Sequence, residues 1–114
     1  MTDYPSFVPN LIGGADSPAA SGGQVEVLSP HSGKVIGKLA RSGAADIDQA
    51  VASARAGQTA WAATPGVRRG EILHAVANAL EAHRQELAEI VALEAGKRMA
   101  DALGEATAAG PGSP

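Results

Sequence analysis

The spacing of apolar residues changes once along this chain, at Gly43, and that change limits what the chain can build. Before Gly43 the pattern is extended. Val25-Glu26-Val27 alternates apolar and polar residues, as a half-buried strand does. Ser29-Pro30-His31-Ser32-Gly33 interrupts it, and Val35-Ile36-Gly37-Lys38-Leu39 resumes it. Two β-rich runs around a Pro/Gly turn predict a hairpin. Upstream, the short apolar run Asn10-Leu11-Ile12 meets Gly13-Gly14, a pair able to supply the positive φ angles of a tight turn. Residues 15–23, rich in Ala, Ser, Gly and Pro, read as a loop.

After Gly43 the period is helical. Ile47, Val51 and Ala54 recur on one face, with Ser42 placed to cap the helix and Asp46 and Asp48 near its positive end. Gly57 weakens its later turns. Thr64-Pro65 predicts the next start, a capping hydroxyl followed by proline at the first helical position. Ile72, Leu73, Val76 and Leu80 form the stripe of this second helix. His83-Arg84 marks a kink or a break, and Leu87, Ile90, Val91 and Glu94 share a face beyond it. Gly96 suits a C-terminal cap, and Lys97-Arg98 suit a negative helix end. A last run carries Met99, Ala102, Leu103 and Ala106. Residues 1–9 read as a flexible arm and residues 108–114 as a disordered tail.

The order is therefore a β-hairpin followed by three or four amphipathic α-helices. A hairpin alone is marginal in water. Each helical stripe needs a partner layer, and few strands are available to provide one. Either the helices pack on one another as a small bundle, or they await a sheet that these residues do not encode. Composition sharpens the difficulty. Hydrophobic residues make up 45% of the chain, but many are alanine, and aromatics are 3%: Tyr4, Phe7 and Trp61. Alanine buries little apolar area, so the core is thinner than the percentage suggests. Trp61 reads as a packing anchor.

With 9 basic and 12 acidic residues interspersed, the net charge is −3, and no run forms a footprint for nucleic acid or an anionic membrane. No stretch approaches the ~20 apolar residues of a membrane span. The start, Met1-Thr2-Asp3-Tyr4-Pro5, lacks the basic and apolar regions of a signal peptide. A cytoplasmic location is the expectation. The chain contains no cysteine, so disulfides, thiolate metal sites and cysteine nucleophiles are excluded within it.

The chemistry-bearing patterns are equally spare. Neither G-x-G-x-x-G nor G-x-x-x-x-G-K-[ST] occurs, and the Gly33-Lys34 and Gly96-Lys97 pairs read as a turn and a helix cap. His31, His74 and His83 have no partner at metal-ligand spacing and read as solvated or helix-flank residues. Glu86, Glu89 and Glu94 read as a solvated face. Arg68 and Glu71 are spaced for an i,i+3 pair. These residues nominate no catalytic, cofactor-binding or metal-binding side chain.

Several segments together resemble the opening of the NAD(P)-dependent aldehyde dehydrogenase family. Leu11-Ile12-Gly13-Gly14 is similar to that family's first short strand and glycine turn. The run from Val25 to Gly37 resembles its V-x-x-P-x-[TS]-G-x-V-I hairpin. Residues Ala45 to Val51, with Ala54 and Trp61, resemble its D-[VI]-D-x-A-V helix. Arg69 with Ile72-Leu73, then Glu94-Ala95-Gly96-Lys97 and Ala102-Leu103-Gly104-Glu105, follow in the family's order.

The resemblance implies an α/β fold: residues 10–107 as the outer part of a Rossmann-like cofactor domain with an incomplete sheet, about the first quarter of a member of several domains. It also implies oxidation of an aldehyde to an acid with NAD or NADP. In the family a cysteine thiolate attacks the aldehyde, a glutamate in an E-L-G-G-K-like stretch serves as base, and an asparagine in a P-W-N-like stretch helps hold the oxyanion. None of these stretches, nor the glycine-rich cofactor turn, is present, so no site residue is carried over. The expectation is a chain inactive and without cofactor by itself, with the change of pattern at 108–114 reading as a truncated or frameshifted frame. Two alternatives stand beside it. One is an interaction module or split-enzyme piece that docks on a full-length aldehyde dehydrogenase or a separately encoded C-terminal remainder. The other is an unrelated helical bundle.

Overall fold

A computed structural model describes residues 3–110. Five strands precede four helices: β1 (Phe7–Val8), β2 (Asn10–Ile12), β3 (Ala15–Ser17), β4 (Gln24–Leu28), β5 (Val35–Ala40), α1 (Ala44–Ala63), α2 (Gly66–Ala82), α3 (Arg84–Ala95) and α4 (Met99–Ala108). They form two compact units, one of residues 5–27 and 35–64, the other containing residues 3–4, 28–34 and 65–110.

In the strand-bearing unit, β5 is central in a three-stranded sheet of order β1-β5-β4. At the two ends of the β4–β5 pair, Ser29 N–H donates to Lys34 O at 2.9 Å and Arg41 N–H to Gly23 O at 2.9 Å, which is antiparallel pairing. The hairpin expected from the alternating residues is present. Its other neighbour corrects the sequence analysis: within the expected arm of residues 1–9, β1 pairs parallel with β5, Phe7 opposite Lys38 and Val8 opposite Leu39. A parallel partner some thirty residues away leaves no local signal, because each strand is only half of the pattern.

The Gly13-Gly14 turn forms as its residues suggest. Both have positive φ, 63° and 79°, and β2 and β3 pair antiparallel with Ile12 opposite Ala15. This makes Ala15–Ser17 a strand inside the stretch expected to be loop. The two-residue turn fixes the register, and backbone pairing does not need β-prone side chains.

α1 runs without interruption through Gly57. Its start differs from expectation. Gly43 is the N-cap, and Ser42 Oγ donates to Asn10 Oδ1 at 2.7 Å instead of capping. Thr64 closes α1, its hydroxyl donating to Ala60 O at 2.9 Å, while Pro65 sits one place outside α2. Both ends shifted because a Ser or Thr hydroxyl has several backbone and side-chain partners within reach.

In the helical unit, α2 and α3 break at His83, whose N–H reaches Ala79 O and Leu80 O at 3.2 Å. α3 ends at Gly96, with φ 67° and its N–H on Ala92 O at 3.0 Å, the expected left-handed cap. Lys97 and Arg98 serve the next helix instead of this end: Lys97 pairs with Glu105, and Arg98 grips Asp101 by two hydrogen bonds of 2.9 and 3.2 Å. The last helix takes in Ala108, one residue of the expected tail, and residues 111–114 lie outside the described part.

The packing is built of alanine. Ala88, Ala102 and Ala106 form the seam between α3 and α4, flanked by Leu87, Val91, Ala92 and Leu103. Ala19 and Ala40 are the buried apolar residues of the other unit, and no large side chain is fully buried among the described residues. A buried methyl contributes ~0.8 kcal/mol, against ~1.5–3 for a buried leucine or isoleucine. Meanwhile the helical stripes face solvent. Ile47 and Val51 on α1 are exposed, as are Leu73 (60%) and Val76 (52%) on α2. Trp61, expected as an anchor, is 40% exposed. The structure thus combines the two packing alternatives: α3 and α4 pair through small residues, while the larger residues of α1 and α2 lack a covering layer.

Candidate functional site

Two clusters of polar groups stand out, and both are structural in geometry. The first is Asp46, in the first turn of α1. Its carboxylate is buried and accepts N–H bonds from Ala20 at 2.8 Å and Gly43 at 2.9 Å. The Gly43 bond closes half of a capping box, and the Ala20 bond ties a loop 26 residues upstream to the helix start. The Gly43 N–H first, and the Ala20 N–H second, hold the carboxyl below its ordinary value, against the opposing effect of burial. Its position in the sequence puts Asp46 near the positive end of the helix dipole but does not show its two backbone partners. The spacing Gly43-x-x-Asp46 was the available signal for one of them. Nothing local pointed to Ala20.

The second cluster surrounds the end of α3. The Tyr4 hydroxyl donates to Glu94, and partial burial with that hydrogen bond raises the phenol from 10.0 to about 12. An open groove of about 240 Å³ is lined by Glu89, Ala92 and Leu93 of α3 and Met99 of α4. Its lining is apolar apart from Glu89, whose Oε1 accepts from Gln85 Nε2 at 3.3 Å.

The histidines stand apart from both clusters. His31 lies exposed in the hairpin turn and His74 exposed on α2. His83 Nδ1 is 3.1 Å from Glu86 Oε2, an exposed i,i+3 pair. Arg68 and Glu71 make the i,i+3 pair expected from their spacing, at 2.7 Å and well exposed, worth a few tenths of a kcal/mol, about 0.2–0.5. Among the described residues no three His, Asp or Glu side chains are placed to hold a metal ion.

A nicotinamide dinucleotide needs free backbone N–H groups for its pyrophosphate, usually at a helix N-terminus. The two Gly-Lys pairs do not supply them. Gly33 N–H is used on Ser29 O at 2.8 Å, and Lys34 N–H on Ser32 Oγ at 3.3 Å. Gly96 lies at the negative end of α3 with its N–H on Ala92 O, and Lys97 is engaged by Glu105. These residues do not fit a cofactor cradle.

Comparison with known proteins gives this architecture its place. The aldehyde dehydrogenase family profile matches residues 18–110, and the chain belongs to that family. A 3,6-anhydro-α-L-galactose dehydrogenase of Streptomyces coelicolor is 37% identical over 86 residues, 75% of this chain and 18% of that protein. The crystal structure of an NAD-dependent aldehyde dehydrogenase from Sinorhizobium meliloti superposes with a TM-score of 0.86 at 36% identity, over 92% of this chain and 22% of that one. A solved 3,6-anhydro-L-galactose dehydrogenase gives a TM-score of 0.87 at 31% identity, over 90% of this chain and 21% of the other. The chain therefore spans about a fifth of the length of these relatives and corresponds to an N-terminal segment of the family's Rossmann-like domain, with its sheet incomplete. Among the described residues no helix is long and apolar enough to cross a membrane.

Proposed function

We propose that these residues form the outer N-terminal layer of an NAD(P)-dependent aldehyde dehydrogenase and that, alone, they do not oxidise aldehydes. The observation that carries this reading is the combination of a family match over residues 18–110 with a chain that has no cysteine. Aldehyde oxidation through a thiohemiacetal requires a thiolate to form the C–S bond before hydride leaves. Among the described residues no serine is hydrogen-bonded to a histidine that could activate it in its place. The segment's role is then architectural: its hairpin and helices add a layer to a domain whose catalytic and cofactor-binding residues lie elsewhere.

A purified, full-mass sample is incubated with NAD or NADP and a panel of aliphatic, aromatic and sugar-derived aldehydes, and reduced nicotinamide is followed by absorbance. No turnover above the buffer rate is expected. Sustained turnover that co-elutes with the chain refutes the proposal.

A second reading is favoured by the exposed α2 stripe. The chain docks on a full-length aldehyde dehydrogenase or on a separately encoded remainder, which supplies the missing layer. Exposed Leu73 and Val76 are the anchors such docking would cover. Co-expression with a remainder beginning near a P-W-N-like stretch, followed by size-exclusion chromatography, tests it. Separate elution of the two chains removes this reading while leaving the first intact.

A further inference from the structure

The residues at the end of α3 are held by stretches far apart in sequence. Tyr4 is partly buried, and its hydroxyl reaches the Glu94 carboxylate across 90 residues. Pro30, in the hairpin turn, presses on Gly96, where an added Cβ would lie 2.9 Å from its Cγ. Lys97 pairs with Glu105 of α4, and Arg98 with Asp101. The Tyr4 bond has a particular electrostatic role. Glu94 stands in the last turn of α3, where the helix dipole disfavours a negative charge. The nearby cations Lys97 and Arg98 are turned to Glu105 and Asp101, and a neutral phenol donor offsets part of the unfavourable placement.

We infer that Tyr4 is a latch, closed by its hydrogen bond to Glu94, that restrains local opening of the turn from Glu94 to Arg98. The inference stands on geometry within the helical unit and is independent of any catalytic assignment. The upward shift of the phenol agrees with it, since a donor must keep its proton.

Hydrogen–deuterium exchange on the full chain at neutral pH tests the latch. Tyr4→Phe keeps the ring and removes the donor; Glu94→Gln keeps an acceptor and removes the charge. Exposed, charge-assisted bonds of this kind change a local opening equilibrium by roughly two- to fivefold. Tyr4→Phe is expected to speed exchange of the amides at 94–98 by that factor, and Glu94→Gln, which keeps an acceptor and loses the charge that the dipole disfavours, by less, while amides in the β4–β5 pair keep their rates. Unchanged exchange at 94–98 in Tyr4→Phe overturns the inference. So does acceleration spread evenly over the chain, because a latch acts locally and a general loss of stability does not.

Discussion

Replacing Gly96 by alanine meets two separate obstacles. The first is backbone conformation: at φ 67° an L-residue with a Cβ costs about 1–2 kcal/mol. The second is space. The new Cβ would lie 2.9 Å from Pro30 Cγ and 3.4 Å from Pro30 Cβ, inside ordinary contact distance and against a ring that cannot swing away. Overpacking of this kind costs about 1–3 kcal/mol. Alanine also restricts the unfolded chain, returning about 0.4–1 kcal/mol. The expected net loss is about 1–4.6 kcal/mol.

Gly33 supplies the control. Its φ is 68°, nearly the same, but nothing lies within 4 Å of the built Cβ. Gly33→Ala should therefore lose about 0–1.6 kcal/mol. Urea unfolding followed by far-ultraviolet circular dichroism measures both, with stability taken by linear extrapolation. The difference between the variants isolates the contact between the hairpin turn and the α3 cap. Equal losses, within about 0.5 kcal/mol, would refute the argument that Pro30 is seated on Gly96.

Five further substitutions and one titration read other parts of the structure. Gly57→Ala, inside α1 with open space around its Cβ, should stabilise the chain by about 0.5–1 kcal/mol in the same urea assay, and a loss there would show an unseen neighbour. Leu73→Lys should leave stability within about 0.5 kcal/mol, whereas Ala102→Val in the fully buried seam should cost about 1–3 kcal/mol; the reverse order would contradict the alanine core. Asp46 has a lowered folded-state pKa, so its stabilisation is present above the unfolded value and is lost as pH falls through the folded value. Asp46→Ala should lower the melting temperature at neutral pH and flatten its fall in acid, and an unchanged acid limb would count against the double N–H clamp. Tyr4 has a raised pKa, so its contribution is complete below the unfolded value of 10.0 and is lost as pH climbs through about 12. Ultraviolet titration of this single tyrosine should show a midpoint near 12 that falls only part of the way toward 10.0 in Glu94→Gln, because burial of the ring remains, with circular dichroism confirming that helix persists through the titration.

The lack of a thiolate was readable in the sequence because it is a matter of residue type. No fold can place a thiolate where no cysteine is encoded. The polar clusters were less readable. Asp46 finds Ala20, and Tyr4 finds Glu94, only after loops close over 26 and 90 residues. No periodicity records such closures.

The sequence by itself determined the elements whose physics is local: helical repeats beyond Gly43, the Gly13-Gly14 turn, the break at His83 and the left-handed cap at Gly96. Each depends on the steric and hydrogen-bonding options of a few adjacent residues. Tertiary structure decided the rest. It paired Phe7–Val8 with β5, took Ser42 and Thr64 away from the caps their hydroxyls suggested, and buried Ala88, Ala102 and Ala106 in the α3–α4 seam while Ile47, Val51, Leu73 and Val76 stayed exposed. A stripe shows that a face can be buried. Which face is buried depends on the layers available to meet it, and within this chain only small residues allow two helices to approach closely enough to supply one another's cover.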